Sequence, residues 1–176
     1  MTREPIRFRA NREKITETVV WLAGKAPGLT LDKVARILFL ADKSHLNRFG
    51  RLVTGDAYLA ADNGPFPREA MAVISAGPAG VILSGDGSRL AQAVRDPDLD
   101  LFSKTDLDAL GEALAAVSAM TGRDILSEAR QEPCWAGARK NGGDRPVIGP
   151  ETMVDDGPHR EGIIAYMREM AGSMVL

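Results

Sequence analysis

The stretch Lys33-Val-Ala-Arg-Ile-Leu-Phe-Leu-Ala-Asp-Lys-Ser-His-Leu-Asn-Arg-Phe-Gly-Arg-Leu-Val-Thr-Gly-Asp-Ala-Tyr-Leu-Ala-Ala-Asp-Asn-Gly-Pro-Phe-Pro67 decides the reading of this chain. Its first half is a helix pattern, opened by Thr30 as N-cap and running to about Arg48. The middle, Ile37 to Ala41, is apolar on every side, which places the helix centrally in a fold. Gly50 is positioned to end it. The second half is a run of turn residues. In Thr54-Gly55-Asp56, glycine supplies positive φ and aspartate caps backbone amides. Tyr58-Leu59-Ala60-Ala61 reads as a short strand or a helical turn, and Gly64-Pro65 is expected to break any regular element.

Outward from this stretch the chain continues mainly helical. Asn11 is the N-cap of a first helix with Ile15, Val19 and Leu22 on one face, closed by Ala26-Pro27-Gly28. Pro67 opens a third helix carrying Met71 and Ile74, and Gly77-Pro78 closes it. Between about residues 80 and 95, Val81-Ile82-Leu83 and Leu90 to Val94 flank Gly85-Asp86-Gly87-Ser88, the pattern of a small antiparallel hairpin. Ser103-x-x-Asp106 and Thr121-x-x-Asp124 are capping boxes with aspartate in place of the usual glutamate. The first starts a helix with Leu107, Leu110, Leu114 and Val117 on one side; the second starts a shorter helix ending near Pro133. Residues 139–150 read as a loop. Pro158 starts a last helix with Ile163, Met167 and Met170 inward. The expected architecture is one compact, mainly α domain over residues 11–176 with a small antiparallel β element, preceded by a basic arm over residues 1–10.

Composition bounds the function. A chain of 176 residues, 44% hydrophobic and 26% charged, can bury a core of its own. The formal net charge of −2 argues against a broad nucleic-acid surface. Arg3, Arg7, Arg9, Arg12 and Lys14, against Glu4 and Glu13, bias the N-terminus toward positive charge. The plain reading is a solvated tail; the sharper one is an arm touching phosphate or an acidic partner. The lone Cys134 has no disulfide partner within the chain, which fits a reducing compartment. No signal-peptide core and no apolar run of the roughly 20 residues that span a bilayer is present, so a cytoplasmic location is expected and no membrane partner.

The chemical motifs are incomplete. Gly85-Asp86-Gly87-Ser88 lacks the third glycine and the following helix of a dinucleotide fingerprint. Asp96-x-Asp98-x-Asp100 places Leu101 and Leu107 where a calcium loop needs Gly and Glu. His45, His159 and Cys134 have no metal-ligand spacing. Asp42 and His45, three apart on the second helix, share a face, and a carboxylate can orient an imidazole. No activated nucleophile accompanies them, so a structural hydrogen bond between Asp42 and His45 near the helix end is the favoured reading. No catalytic residue, metal or cofactor is assigned, and the chain is expected not to be an enzyme.

The Lys33–Pro67 stretch resembles the Panacea domain, the SocA-like antitoxin family that also includes phage-associated proteins. The resemblance rests on Lys33, Leu38, Ala41, Asp42, His45, Leu46, Gly50, Arg51, Thr54, Gly55, Asp56, Tyr58, Ala60, Gly64, Pro65 and Pro67. It extends through Asp98, Asp100, Leu101, Ser103, Asp106, Leu110, Glu132 and Trp135. Two positions depart from the family pattern: Gln131 lies where a histidine often precedes the Glu-Pro-x-Trp run, and Ser44 replaces an aromatic. The resemblance implies a bacterial antitoxin that binds and neutralises a cognate toxin protein, usually encoded next door, with some members handing the toxin to a protease. A phage-associated or regulatory protein binding nucleic acid through the basic N-terminus is the alternative. Candidate partner-binding or family-signature residues are Asp42, His45, Thr54, Asp56, Tyr58, Asn63, Gly64, Pro65, Phe66 and Trp135. Asn63 to Pro67 form a rigid corner with little entropy left to lose on binding, and Phe66 there suits an anchor. The oligomeric state is left open.

Overall fold

The computed structural model describes residues 4–173. Its organising element is helix α2 (Leu31–Phe49), and the reason lies in its composition. Val34, Ile37, Leu38 and Ala41 point into one apolar cluster, while Phe39 and Leu46 point into another. A helix with apolar side chains all round divides two cores instead of bordering one. Thr30 caps its start by accepting from the Lys33 amide (3.4 Å), and Gly50, left-handed at φ 74°, ends it by donating to the Leu46 carbonyl.

The larger core is closed by α1 (Arg12–Lys25), α3 (Arg68–Ser75), α4 (Lys104–Ser118) and α5 (Gly122–Arg130). Asn11 caps α1 as its sequence predicts, accepting from Lys14 N (3.0 Å). Both capping boxes close in both directions, at Ser103/Asp106 and Thr121/Asp124. Helix α4 lies against α2 with Leu110, Ala113 and Val117 buried. The fold is mainly α with two small three-stranded antiparallel sheets among the described residues.

The first sheet contains the hairpin expected between residues 80 and 95. Strands β4 (Val81–Leu83) and β5 (Arg89–Ala93) pair antiparallel, and the two-residue β1 (Leu29–Thr30) adds to β5, with Leu29 opposite Leu90. Asp86 holds the turn: it accepts from the hydroxyls of Ser84 and Ser88 (both 2.7 Å) and from the Ser88 amide (3.0 Å).

The second sheet departs from the sequence expectation. β2 (Tyr58–Ala61) pairs with β3 (Gly64–Pro67) across the turn Asp62-Asn63, so Gly64-Pro65 continues a strand instead of breaking one. Both prolines sit on an edge strand, where the missing amide costs no ladder bond. On the other side β2 pairs with β6 (Val147–Ile148), which lies inside the segment 139–150 expected to be loop. A further helix, α6 (Pro133–Lys140), runs into the first two residues of that segment. The last helix, α7 (Arg160–Ser173), begins just after Pro158; Met167 is fully buried, but Met170 is 38% exposed instead of inward. Ile6 is buried in the second core, and the Asn11 amide donates to the Thr54 carbonyl (3.4 Å), so part of the N-terminal segment lies along the body. Arg7 and Arg9 are exposed there, and Arg3 of the expected basic arm lies outside the described residues.

Candidate partner-binding site

The candidate residues separate into a buried polar knot and a surface corner. The knot is built where the α2 midpoint meets the turn that follows it. Asp42 has no solvent exposure. Its Oδ1 accepts from the Thr54 amide (3.0 Å), and its Oδ2 accepts from the Thr54 hydroxyl (2.6 Å) and the Tyr58 hydroxyl (2.7 Å). Burial raises its pKa, and these three donors oppose the rise.

Asp56 continues the knot. Pro67, at the N-cap of α3, has no side chain to cap with, and the cap comes from the turn before β2: Asp56 accepts from the Glu69 and Ala70 amides (2.9 Å each). Burial pushes this carboxyl up to about 6, against those two amides. Tyr58 packs edge-on against Phe39, with centroids 5.3 Å apart.

His45 is fully buried and hydrogen-bonded on both ring nitrogens. The Arg51 carbonyl only accepts, so Nδ1 carries the proton and donates to it (2.9 Å). Nε2 then accepts from the Thr105 hydroxyl (2.9 Å). Asp106 Oδ1 is 3.4 Å from Nε2, a contact that is an ion pair only for a protonated ring. Burial lowers the His45 pKa, and the neutral ring fits the Arg51 carbonyl and Thr105 better. Asp106 is instead neutralised by Lys14 (2.8 Å) and Arg51 (3.0 Å). Asp42 and His45 therefore face separate partners, and the structural hydrogen bond expected between them does not form. Among the described residues no three His, Cys, Asp or Glu side chains are grouped to hold a metal ion.

The corner has a different character. Asn63 is exposed, Gly64 and Pro65 are buried, and Phe66 is half-buried. Trp135, on α6, is half-buried and donates from Nε1 to the Ala61 carbonyl (2.7 Å), fixing the end of β2. Gly64 has φ 124°, and a Cβ there would stand 2.5 Å from Cβ of Ala129, so α5 packs directly on the hairpin. Between α2, this corner and α5 lies a cavity of about 360 Å³. Gly64, Pro65 and Phe66 form one wall; Ile125, Leu126 and Ala129 form another.

The sequence reading missed the charged lining of this cavity. Arg36, 5% exposed, lies on its α2 wall, and Arg145 sits over the Phe66 ring at 5.5 Å. A signal for Arg36 was available: it is the cation embedded in the otherwise apolar Val34–Ala41 run. Arg145 carried none, because it reaches Phe66 only through the fold. Of the ten candidates, Asn63, Gly64, Pro65 and Phe66 line the cavity; Asp42, Thr54, Asp56 and Tyr58 lie in the knot, His45 is buried against Arg51 and Thr105, and Trp135 braces the hairpin.

The assembly is a helical scaffold that commits its signature polar groups to internal hydrogen bonds and leaves one rigid, partly apolar corner at the surface. Comparison with known proteins places the chain in a family: residues 34–136 match the model described as "Antitoxin SocA-like, Panacea domain", and the chain belongs to that family. The matched segment runs from α2 into α6 and so contains the knot, the hairpin and both principal walls of the cavity. No curated protein and no solved structure matches the chain. Among the described residues no helix is long and apolar enough to cross a membrane.

Proposed function

We propose that this chain is an antitoxin that neutralises a cognate toxin by direct protein–protein contact in the cytoplasm, without catalysis of its own. Family membership over residues 34–136 carries this reading. Two features of the molecule support it. The knot of Asp42, Thr54, Asp56 and Tyr58 fixes the hairpin without using surface groups, so the corner at Asn63–Pro67 is held ready for a partner at little entropic cost. Conversely, Asp42 and His45, the one pair with a catalytic look, are fully buried and satisfied by structural partners.

The test is co-expression with the product of the adjacent gene. Growth arrest by the neighbour alone, relieved by this chain and accompanied by a co-purifying complex, is the expected result. A harmless neighbour, or toxicity undiminished by this chain, overturns the reading. Following toxin levels after synthesis is stopped distinguishes masking, in which they hold steady, from delivery to a protease, in which they fall only when this chain is present.

A further inference from the structure

Residues 4–10 lie against the body as an extended segment, in a seat shaped to receive them. Burial alternates along it: Ile6 is buried and Phe8 half-buried, while Arg7 and Arg9 are exposed. A period of two belongs to an extended chain with one face down. Ile6 and Phe8 pack into the second core. Gly55, at φ 71°, admits the backbone, since a Cβ there would stand 2.8 Å from the Arg9 carbonyl oxygen. At the other end Arg168 of α7 donates from Nη1 to the Glu4 carbonyl (3.0 Å).

The hold is sparse and the seat is unfilled. Among the described residues the amides of Ile6 to Ala10 donate no hydrogen bond, and the Asn11 amide makes only its 3.4 Å bond to Thr54. A segment held by two apolar side chains and one hydrogen bond at each end opens without the rest of the fold. Beside it lies a cavity of about 650 Å³, lined by Phe8 of the segment and by Ala138, Val147 and Pro150 of the body, with Leu52 and Cys134. Val147 is 61% exposed, so the space is an open groove and not a sealed void. Atoms facing unfilled space lack contacts on that side. β6 also lines the groove, and it is the edge of the second sheet opposite the Asn63–Pro67 corner. A second extended chain finds unpaired backbone at such an edge.

We propose that residues 4–10 are a displaceable strap, seated in cis in a groove that receives an extended segment of a partner protein with apolar residues at alternate positions. The chemistry of the occupant is read from the strap itself: Ile6-Arg7-Phe8 shows that the groove takes two apolar side chains two residues apart and leaves the residue between them in water. A partner segment with larger side chains gains contacts in the unfilled space, and it can pair with β6, as strand-adding peptides do at sheet edges. The strap then swings away about Ala10-Asn11, ahead of α1. The partner's identity rests on the antitoxin reading; the strap and its groove do not. The strap and β6 lie outside residues 34–136, so this device stands beside the segment matched by the family.

The experiment uses the full chain and needs no toxin. Cys134 shares the groove and the second core with Ile6, so its alkylation by iodoacetamide reports whether the strap is seated. Ile6→Asp should unseat the strap and raise the labelling rate about tenfold or more, with the far-UV circular dichroism unchanged. The N-acetylated, C-amidated peptide Pro-Ile-Arg-Phe-Arg-Ala should return that rate to its slow value, and its counterpart with Asp in place of Ile and Phe should not. A fluorescein-labelled form of the first peptide should bind Ile6→Asp about tenfold or more tightly than it binds the unchanged chain. Where Ile6→Asp fails to fold, Phe8→Ser with Arg168→Gln, at two half-buried positions, carries the same comparison. No acceleration at Cys134, acceleration that the peptide leaves in place, or equal peptide affinity for variant and unchanged chain overturns the proposal. Concentration-dependent dimers of the unchanged chain that Ile6→Asp abolishes put a second copy in the groove and overturn it as well. Peptide results as expected alongside failure of toxin neutralisation leave the groove standing and the antitoxin role refuted. Neutralisation without peptide binding leaves the antitoxin role standing and refutes the groove.

Discussion

Thr54 gives Asp42 both its backbone amide, 3.0 Å from Oδ1, and its hydroxyl, 2.6 Å from Oδ2. One residue thereby ties the turn after α2 to the helix interior with a two-point grip, and the Tyr58 hydroxyl completes the carboxylate (2.7 Å). Asp42→Ala leaves all three donors buried and unpaired. The expected loss is about 3 kcal/mol or more, read as a lower urea midpoint at unchanged slope.

The same geometry makes a prediction about coupling. Tyr58→Phe and Thr54→Val each remove one donor to the same oxygen, and each should cost about 1–2 kcal/mol. Because both act on Oδ2, the double variant should depart from additivity by about 0.5 kcal/mol or more. Strict additivity in chemical denaturation would show that the carboxylate is not the shared acceptor.

Asp56 makes stability depend on pH in a stated direction. Its carboxyl titrates at about 6 in the folded protein, against 3.8 ordinarily. Between those values the folded state binds a proton that the unfolded state has released. Its contribution is therefore fully present below the ordinary value and is lost as pH rises through about 6, by about 3 kcal/mol in all. His45, whose pKa is lowered by burial, acts oppositely below its ordinary value of 6.5, so the Asp56 effect is isolated by comparison with a variant. Asp42, whose pKa burial also raises, adds to the decline in the same direction, so relative to the unchanged chain Asp56→Asn should shrink the decline in urea midpoints between about pH 4 and about pH 6 without abolishing it.

Gly64→Ala should be far more damaging than Gly28→Ala. Both glycines have positive φ, 124° and 84°. The new methyl at position 64 would stand 2.5 Å from Ala129, whereas nothing lies within 4 Å at position 28. A cost of about 1 kcal/mol is expected at Gly28 and about 2–4 kcal/mol at Gly64, measured by thermal unfolding.

Cys134 should be slow to alkylate. Burial raises its thiol to about 11, against 9.0 for a free thiol, with the Glu132 charge adding to the rise. That reduces the thiolate fraction at about pH 8 by about 100-fold. Iodoacetamide should label the native chain at least that much more slowly than the urea-unfolded chain; equal rates would place Cys134 at the surface.

Residues whose local pattern is self-sufficient were legible from the sequence. Asn11, Thr30, Ser103 and Thr121 cap helices because each side chain reaches an amide three residues on. Gly85-Asp86-Gly87-Ser88 turns a hairpin for a similar reason. What was not legible depended on segments far apart in the chain. Tyr58–Ala61 became a strand because Gly64–Pro67 and Val147–Ile148 pair with it on either side, and only the first of those partners is local. Met170 has the same helical spacing as Met167, and only the packing around α7 decides which of the two is covered.

For the site, the sequence by itself determined the family signature, the buried character of α2 and the rigidity of the Asn63–Pro67 corner. These follow from residue type, short-range spacing and backbone limits. The tertiary structure alone decided that most of the signature faces inward: Asp42, His45, Thr54, Asp56 and Tyr58 hold the scaffold, while Phe66 meets Arg36, Ile125 and Arg145 around a cavity. The reason is physical. A carboxylate or an imidazole has the same sequence appearance whether it faces water, a ligand or a buried hydroxyl, and only the donors and acceptors brought to it by distant segments settle which.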